Sequence, residues 1–305
     1  MNDATGMITE IERFALNDGP GIRTTVFFKG CNMNCAWCHN PETIRRGREL
    51  LYHPNKCIGC YKCVYACPCK AQKRIDGVHR YFPNLCVKCG KCADICYAKA
   101  MEVSGKTVTV QQVMAEILQD KPYYQSSGGG VTLSGGEVLC QPEFAGAILD
   151  ACHAEGIPTG IETNLNAAWE TIEPLLEKLD LVMCDLKIAD EEAHKQWTGT
   201  GNALIKENIR RLAQTGLPYI VRTPLVPGAT DSEENLRAIA GFLAEADVRH
   251  TLIRYELLNF NPLGAGKYES LHRKNAFAGA KPLSAQRVAA LRAAAEEAGI
   301  PVWTE

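Results

Sequence analysis

The chain has 305 residues, of which 46% are hydrophobic and 22% are charged, and its formal net charge at pH 7 is -2. This length suits one large α/β core with a small insert, and so small a net charge excludes a general affinity for nucleic acid or an anionic membrane. The sequence has no apolar run of about eighteen residues and no signal-peptide pattern, so we expect a cytoplasmic protein that does not enter membranes.

The first predicted strand leads into a group of three cysteines. Residues 24–30, TTVFFKG, are β-branched and aromatic, and they are followed by Cys31-x3-Cys35-x2-Cys38. The loop after a strand is where barrel enzymes keep catalytic groups. A four-iron cluster has four corners, so three thiolates leave one iron open for a ligand that is not protein. A zinc site is the alternative interpretation of such a triplet.

The cysteines are concentrated in two places. Of the 15 cysteines, three lie in 31–38 and nine in 57–96. A disulfide framework would spread its cysteines to close long loops, and disulfides are rare in a reducing compartment. Twelve cysteines are therefore candidates for iron-sulfur chemistry. The other three, Cys140, Cys152 and Cys184, are predicted to be small buried hydrophobic residues.

An inserted segment follows the triplet. Residues 57–100 are rich in cysteine, lysine and glycine and poor in aliphatic runs. They contain the bacterial ferredoxin run twice, and in that pattern the fourth cysteine of each run binds the other cluster. One predicted cluster is held by Cys57, Cys60, Cys63 and Cys96, and the other by Cys86, Cys89, Cys92 and Cys67. Two zinc ribbons are the alternative, but they would leave thiols unused.

Two positions in the insert depart from the ferredoxin pattern. Tyr97 stands where a proline often follows the second run, and Cys69 is a spare thiol that can substitute for Cys67. Residues 56–99 also carry nine basic against two acidic side chains. This excess compensates two anionic clusters, or it forms a docking face for an acidic electron donor such as flavodoxin or ferredoxin.

Strands and helices alternate after the insert. The predicted strands cover 131–134, 159–162, 181–187, 219–223, 251–258 and a final VWT. The predicted helices cover 110–119, 142–155, 168–177, 190–197, 203–215, 231–246 and 284–298. Repeated βα units imply a parallel sheet, here a partial (β/α)6 TIM-like barrel with its active site at the carboxyl ends of the strands. The predicted domains are 1–52 and 105–305 for the barrel and 53–104 for the ferredoxin-like insert.

Several separated motifs resemble one enzyme family. The triplet spacing beside a ferredoxin run is that of the radical S-adenosylmethionine superfamily. The stretch ITEIERFALNDGPGIRTTVFFKGCNMNCAWCHNPE resembles the signature of glycyl radical enzyme activating enzymes, typified by pyruvate formate-lyase activating enzyme. The motifs LSGGEVLCQPEF, ETN, VMCDLK, VRTPLVPG and LLNFNPLG follow in the expected order. The resemblance therefore covers nearly the whole chain.

The resemblance implies a radical reaction with three 4Fe-4S clusters. The open iron binds the amino and carboxylate groups of S-adenosylmethionine, and one electron cleaves the carbon-sulfur bond. The resulting 5′-deoxyadenosyl radical removes a hydrogen from a glycine of a partner glycyl radical enzyme. We expect a monomer that works anaerobically.

Residues at two strand ends fit this ligand. Gly135 and Gly136 let backbone approach a ligand closely, and Glu137 can accept hydrogen bonds from its ammonium group. Alternation along a strand puts Asp185 and Lys187 on one face with Met183, whereas Cys184 and Leu186 point the other way. Lys187 can pair with the ligand carboxylate, or the two charges can form a purely structural ion pair.

The remaining ligand contacts follow the same reasoning and the resemblance. Arg222 is predicted to meet the ribose or carboxylate. Trp37, His39 and Asn40 are predicted to touch the adenine or the methionine end, although His39 can also be a structural loop residue. Asn261 stands where several relatives carry a histidine, so a proton-transfer role there is doubtful. The resemblance also implies a monovalent cation surrounded by Glu162, Thr163, Met183 and Asp185.

The turn before the predicted strand is the candidate partner site. Asp18-Gly19-Pro20-Gly21 predicts a tight turn before the first strand, and the resemblance implies that it receives the glycine loop of the partner enzyme. Two alternatives stay open. One is a radical enzyme with a small-molecule substrate, and the other is a noncatalytic electron-transfer protein, which would need a fully ligated third cluster.

Overall fold

The structure is a computed structural model that describes residues 4–304. The strands are β1 (Thr5–Ala15), β2 (Arg23–Phe28), β3 (Glu49–Tyr52), β4 (Gln72–Ile75), β5 (Val78–Tyr81), β6 (Met101–Ser104), β7 (Lys106–Thr109), β8 (Gly130–Gly135), β9 (Thr159–Thr163), β10 (Leu181–Asp185), β11 (Tyr219–Leu225), β12 (Leu252–Asn259) and β13 (Val302–Thr304).

Helices lie mainly between the later strands. They are α1 (Lys62–Ala66), α2 (Lys91–Asp94), α3 (Val110–Ile117), α4 (Lys121–Ser127), α5 (Pro142–Ala154), α6 (Trp169–Leu176), α7 (Glu191–Thr198), α8 (Ala203–Thr215), α9 (Glu233–Ala246), α10 (Ala265–Ser270) and α11 (Ala285–Glu296). Within residues 4–304, none of these helices combines the length and the apolar character needed to cross a bilayer.

A large sheet organises the molecule. Within the described residues it has nine strands in the order β13-β12-β11-β10-β9-β8-β2-β1-β7. The seven strands from β13 to β2 run parallel, and β1 and β7 add an antiparallel edge. This arrangement confirms the predicted mixed α/β fold with a parallel sheet. The predicted strand 181–187 is wrong at one end, because β10 ends at Asp185.

The sequence pattern did not predict β1. Its pairing with β2 shifts register between Ile8 and Glu10 and again between Glu12 and Ala15, so the alternation of buried and exposed residues is broken along the strand. As a consequence, the prediction of a turn before the first strand is wrong. The segment Asp18-Gly19-Pro20-Gly21 instead connects two antiparallel strands of the sheet.

The two faces of the sheet differ in chemistry. One face is apolar and packs under the helices, and it includes the fully buried Val26, Leu133 and Val221. Alternation then puts the intervening side chains on the opposite face. These side chains are largely polar or charged: Arg23, Thr25, Thr132, Ser134, Glu162, Asp185, Arg222 and Glu256. We call this the polar face, and it carries the candidate site.

Local signals set the helix starts. The side chain of Thr109 accepts a hydrogen bond from the backbone of Gln112, whose own side chain returns one, so α3 begins with a capping box. Asp190 and Ser232 cap α7 and α9 in the same way through their side-chain oxygens. The predicted starts of these three helices agree with the structure to within two residues.

The segment between β3 and β6 has its own small core. These two strands pair antiparallel, and β4 and β5 form a separate hairpin. Only Leu50, Tyr52, Cys92 and Met101 are buried in this core, with several cysteines packed around them, as far as the described residues show. The segment therefore has little apolar packing of its own.

Candidate active site

The loop carrying the three cysteines is fixed by backbone contacts on two sides. It follows β2 directly, and the N–H of Asn34 donates to the carbonyl of Thr198 at the end of α7 (2.8 Å). On the other side, the N–H of Cys31 donates to the carbonyl of Ile44 (2.9 Å). Because these bonds use only main-chain groups, the three thiols remain free to bind a metal.

The three thiols are shielded from water. Burial raises the pKa of Cys31 and Cys38 to about 12, and it also raises the pKa of Cys35, against the influence of the nearby Lys187 ammonium. A thiol is a metal ligand only as the thiolate, and a bound metal deprotonates it. Three partly buried thiols on one loop, beside a cation, fit an iron-sulfur cluster.

Lys187 and Asp185 form an ion pair next to the triplet. The Nζ of Lys187 lies 2.7 Å from Oδ2 of Asp185, and the lysine side chain is only 12% exposed. Burial lowers the pKa of Lys187, but the charges of Asp185 and Cys35 outweigh this and leave it raised, so the side chain stays cationic. Met183 and Cys184 lie in different apolar clusters, as strand alternation predicts.

Glu137 is buried and already has protein partners. Its Oε1 accepts hydrogen bonds from the N–H of Leu139 (2.9 Å) and the hydroxyl of Thr163 (2.7 Å), and its Oε2 accepts one from the N–H of Asn164 (2.7 Å). Burial raises its pKa, although these bonds oppose the effect. A carboxylate has about four acceptor positions, so one remains for the predicted ligand ammonium.

Gly135 and Gly136 allow two strand ends to touch. A Cβ on Gly135 would lie 2.3 Å from the backbone N of Phe28, and one on Gly136 would lie 2.4 Å from the carbonyl oxygen of Gly30. Gly135 also has a φ of +110°. The structure therefore gives these glycines a reason that the sequence did not: they pack directly against the backbone that leads to the cysteines.

A second charge network lies deeper on the polar face. The guanidinium of Arg222 pairs with Glu162 and also donates from Nε to Oε2 of Glu256 (2.6 Å). Ser134 donates its hydroxyl to the same Glu162 (2.5 Å). Burial raises the pKa of Glu162, and the charge of Arg222 opposes this. Arg222 is therefore bound between two carboxylates, in addition to any contact with a ligand.

The side chains predicted to surround a monovalent cation bond to different protein groups. Glu162 bonds to Arg222, and Thr163 donates to Glu137 rather than toward Glu162. Among residues 4–304, no three His, Cys, Asp or Glu side chains converge closely enough to hold a single metal ion. The monovalent cation remains a prediction from the resemblance.

A cavity lies beside the last cysteine of the triplet. It has a volume of about 70 Å³ and is lined in part by Trp37, His39, Asn261, Tyr268 and Phe277. The ring of Trp37 packs edge-on against Phe277, with centroids 6.2 Å apart. Burial and the charge of Lys267 lower the pKa of His39. The structure therefore brings Trp37, His39 and Asn261 together around one cavity.

Asn40 and Asn261 have structural partners. Oδ1 of Asn40 accepts a hydrogen bond from Nζ of Lys267 (2.6 Å). Oδ1 of Asn261 caps the following turn by accepting from the N–H of Leu263 (3.0 Å). Both amides therefore use their oxygen within the protein, and Asn261 is one of the residues that line the cavity.

The Asp18 segment crosses the polar face near Arg222. Oδ2 of Asp18 accepts from the hydroxyl of Thr25 (2.6 Å), and its carbonyl accepts from Thr132 (2.7 Å). Gly19 has a φ of +121°, which favours glycine. Arg222 donates to the carbonyl of the preceding Asn17 (3.2 Å). The predicted partner segment is thus anchored on the same face as the triplet.

Sequence reasoning missed three residues at the site. Nδ2 of Asn164 lies 3.9 Å from Sγ of Cys31, and the hydroxyl of Tyr268 donates to the carbonyl of Cys38 (3.0 Å). Lys267 forms an ion pair with Glu42 (2.8 Å). The ETN motif contained Asn164 and was an available signal. Tyr268 and Lys267 lie on a six-residue helix, too short for a periodic pattern.

The prediction for the three isolated cysteines is only partly right. Cys152 and Cys184 are buried, whereas Cys140 is half-buried and its Sγ accepts a hydrogen bond from Arg46 (3.7 Å). Cys140 is therefore not a core residue. It ends the short turn after β8, where one side is open to solvent.

The insert gathers its thiols around two centres. Four of them, Cys57, Cys60, Cys63 and Cys96, line one cavity of about 110 Å³. This is the first set predicted from the ferredoxin pattern. Around the second centre, burial and the neighbouring Cys86 and Cys67 raise the pKa of Cys92 to about 12. The first thiol set therefore borders a cavity, and the thiols of the second set lie close enough to influence one another's charge.

Cys69 lies beside the second centre. Its Sγ is 3.6 Å from Sγ of Cys67, and hydrogen bonds from the backbone, with Val87 first, lower its pKa. Cys67 accepts from the N–H of Ala71 (3.2 Å), just as Cys96 does from the N–H of Ala100 (3.2 Å). This equivalence favours Cys67 over Cys69 as the fourth ligand.

Comparison with known proteins gives two family matches. The model described as "Radical SAM superfamily" matches residues 87–239, which is half of the chain and begins after the cysteine triplet. The model described as "4Fe-4S binding domain" matches residues 50–73, which contain the first ferredoxin run.

Relatives with known names cover most of the chain. The chain is 42% identical to the isethionate sulfite-lyase activating enzyme of Oleidesulfovibrio alaskensis, over 88% of each chain. It is 37% identical to the benzylsuccinate synthase activating enzyme of Thauera aromatica, over 97% of this chain and 91% of that one.

The fold also recurs in a solved structure. A radical SAM methyltransferase from Sphaerobacter thermophilus is 15% identical, with a TM-score of 0.53 over 93% of this chain and 66% of that one, which shows a shared fold alone. The triplet geometry, the family models and the full-length relatives agree. The chain belongs to the radical SAM superfamily and, within it, to the activating enzymes of glycyl radical enzymes.

Proposed function

We propose that the chain holds one 4Fe-4S cluster with Cys31, Cys35 and Cys38 and binds S-adenosylmethionine at the open iron. The observation that carries this assignment is the position of three half-buried thiols beside the Lys187–Asp185 ion pair on the polar face. When bound, the cluster and S-adenosylmethionine supply a one-electron cleavage that yields the 5′-deoxyadenosyl radical. The protein supplies orientation and a site shielded from water.

The chain's own residues divide the ligand between them. The ammonium group of Lys187 binds the carboxylate, because its raised pKa keeps the side chain cationic. Asp185 holds the lysine in place. Glu137 receives the ammonium group on its remaining acceptor position, close to Cys31. Arg222 and Glu162 face the ribose or carboxylate from deeper on the polar face. Each of these charges has a partner, which keeps the site stable before the ligand binds.

The adenine end is assigned to the cavity after the triplet. Trp37 offers an aromatic surface, and His39 and Asn261 offer hydrogen bonds around it. Asn40 lies next to His39 and is assigned to the same ligand through its amide nitrogen, because its oxygen already bonds to Lys267. The lowered pKa of His39 favours a neutral ring, which can both donate and accept.

The protein substrate is a glycyl radical enzyme, and its glycine loop is proposed to enter over Asp18, Gly19 and Pro20. This segment borders the polar face at Arg222 and Thr132, so a peptide on it would reach the radical. The relatives are named for different partners, such as isethionate sulfite-lyase and benzylsuccinate synthase. A glycine loop is the feature that such partners have in common, so this segment is the shared contact.

The insert is proposed to be a ferredoxin-like domain over residues 53–104 with two further clusters. One cavity lined by Cys57, Cys60, Cys63 and Cys96 supports the first. Cys86, Cys89, Cys92 and Cys67 are assigned to the second, which brings the total to three clusters. The basic excess of the insert favours flavodoxin or ferredoxin as donor, and the chain is proposed to act as a monomer.

The rest of the chain is proposed to form a partial (β/α)6 barrel. Six of the parallel strands in residues 4–304, from β2 to β12, are each followed by at least one helix before the next parallel strand. The barrel segments are 1–52 and 105–305, and residues 1–3 and 305 lie outside the described residues.

The first experiment tests the radical step. The chain is reconstituted anaerobically with iron and sulfide, reduced with dithionite and given S-adenosylmethionine, and 5′-deoxyadenosine is quantified. We expect product from the intact chain and at least a hundredfold less from Cys35→Ala, with Cys140→Ala as the matched control. No cleavage by a protein that carries about twelve irons would contradict the radical assignment.

A second measurement tests the partner segment. With a candidate glycyl radical enzyme present, electron paramagnetic resonance detects the glycyl radical. Asp18→Asn is expected to keep 5′-deoxyadenosine formation without partner and to lose most of the glycyl radical. If Asp18→Asn and the unmodified chain give equal yields of glycyl radical, the partner's glycine loop binds at another site.

A further inference from the structure

The insert is an internal repeat. YHPNKC, residues 52–57, and YFPNLC, residues 81–86, are 29 positions apart, and the two cysteine runs keep the same offset. The strand pairing follows the same repeat. Tyr52 of β3 pairs with Met101 of β6, and Tyr81 of β5 pairs with Gln72 of β4, which is 29 positions before Met101. Each residue of one half therefore has a counterpart in the other.

The repeat is broken at two buried positions. His79 is the counterpart of Leu50, and Gln72 is the counterpart of Met101. All four are buried, with 5% of His79 and 1% of Gln72 exposed. One half thus fills these positions with apolar side chains, whereas the other uses an imidazole and an amide. Packing alone does not require polar groups here, since leucine and methionine suffice in the equivalent environment.

The two polar side chains bond to each other and to both thiol sets. Nε2 of His79 lies 2.8 Å from Oε1 of Gln72 and 3.4 Å from Sγ of Cys63. Its Nδ1 lies 3.8 Å from Sγ of Cys57. At the other end, Nε2 of Gln72 donates to Sγ of Cys92 at 3.7 Å.

This network has a definite direction. An amide oxygen only accepts, so the hydrogen between Gln72 and His79 belongs to Nε2 of the imidazole. That N–H is shared between Gln72 and Cys63, and the amide of Gln72 then has its own N–H for Cys92. Each proposed cluster consequently receives one hydrogen bond from the same bridged pair.

We propose that His79 and Gln72 are positioning residues that raise the reduction potentials of the two insert clusters, His79 at the Cys57–Cys60–Cys63–Cys96 centre and Gln72 at the other. Hydrogen bonds to ligand sulfur favour the reduced cluster, because reduction adds negative charge to the sulfurs. The shorter contact of His79 makes its effect the larger one. This inference rests on the two-cluster insert of the proposed function.

The experiment exchanges each residue for its counterpart in the other half. Cys31, Cys35 and Cys38 are replaced by alanine in the full chain, so that only insert clusters contribute to the spectrum. Midpoint potentials are then measured by anaerobic titration with electron paramagnetic resonance. His79→Leu and Gln72→Met are each expected to shift the midpoint of one cluster to a more negative value, with the larger shift in His79→Leu.

Two further variants separate hydrogen bonding from packing. His79→Gln keeps an N–H within reach of Cys63 and is expected to stay near the unmodified potential. Val78→Ala, an exposed neighbour on β5, is the control and is expected to cause no shift. If His79→Leu does not retain its clusters, the other two variants still decide the question. His79→Gln must keep the unmodified midpoint potentials, and Gln72→Met must lower the midpoint potential of one cluster.

The outcomes are distinguishable from failure of the proposed function. If the His79→Leu and Gln72→Met variants hold about eight irons and their midpoint potentials are unchanged, His79 and Gln72 do not tune the two clusters. A chain with intact insert cysteines that binds fewer than two insert clusters would instead overturn the two-cluster proposal, before any potential is compared.

Discussion

Charged side chains at the site lie in partnered sets. Lys187 pairs with Asp185, and Arg222 pairs with Glu162 and Glu256. Charges taken out of water are costly unless they have partners, so these pairs are what allows cations and carboxylates to lie beside an apolar core. A ligand with its own carboxylate and ammonium can join such pairs without introducing an uncompensated charge.

The Lys187–Asp185 pair leads to a prediction on ligand binding. Lys187→Gln removes the cation proposed for the ligand carboxylate, and S-adenosylmethionine should bind at least about tenfold more weakly, which corresponds to about 1.4 kcal/mol. The dissociation constant is measured anaerobically from the spectral change of the reconstituted protein. Lys195→Gln, on the exposed side of α7, is the matched control. Equal affinities in both variants would contradict the role of Lys187.

At the level of elements, strand ends form the site through close backbone contact. β2 leads to the triplet and β8 leads to Glu137, and Gly136 lets these two ends touch. The N–H of Gly136 donates to the carbonyl of Phe28 (2.9 Å), and that of Glu137 to Gly30 (2.8 Å). The cysteine loop is therefore supported by backbone rather than by side chains alone.

Gly136→Ala is expected to disturb the triplet. Its Cβ would lie 2.4 Å from the carbonyl of Gly30, and neighbouring backbone cannot move away without shifting Cys31. Iron retained by the reconstituted chain should fall by about four atoms, one cluster's content. Gly241→Ala is the control, because its Cβ meets no neighbour within 4 Å and alanine favours the helix by about 0.5–1 kcal/mol. Full iron content in Gly136→Ala would refute this prediction.

Asp120 ties the first two strands to the helical layer. Its carboxylate accepts from Arg13 on β1 (2.9 Å) and from the hydroxyl of Thr24 on β2 (2.8 Å). The hydrogen bond from Arg13 holds the pKa of Asp120 below its usual range. A carboxyl group with a lowered pKa stabilises the fold above its unfolded pKa, and this contribution is lost as the pH falls through the folded value.

The lowered pKa of Asp120 predicts how the stability loss in Asp120→Asn changes with pH. At pH 7 the variant should lose about 1–2 kcal/mol of unfolding free energy, and the difference from the unmodified chain should shrink below about pH 4. Urea unfolding of the iron-free chain at pH 7, 4 and 3 measures it. Asp150→Asn, an exposed partner of Lys178, is the control. If the difference in unfolding free energy grew as the pH fell, the pKa of Asp120 would be raised in the folded chain, contrary to this prediction.

At the scale of the whole molecule, the chain has two unequal cores. The large sheet and its helices enclose an extensive apolar cluster, whereas the hydrophobic cluster between β3 and β6 contains four buried residues in the described part of the chain. A segment with so little apolar area cannot offset the entropy of ordering its backbone, so bound metal must stabilise it. The two parts should therefore respond differently to loss of iron.

Iron removal is expected to release the insert and spare the main sheet. After anaerobic chelation, hydrogen exchange should rise strongly in residues 57–99 and change little in β8 to β12. The comparison uses the reconstituted chain under the same conditions. Retained protection of the insert without iron would show that its small core is sufficient by itself.

The sequence by itself determined the radical SAM chemistry and the order of the βα units after the insert. Cysteine spacing fixes which thiols can share a cluster, and strand and helix periodicity is a local property, so the βα alternation was predictable. The tertiary structure alone decided the partners of Glu137, the pairing of Arg222 and the contact of Tyr268 with Cys38. Such contacts join residues far apart in the chain, and β1 was hidden because its bulges interrupt the period on which prediction depends.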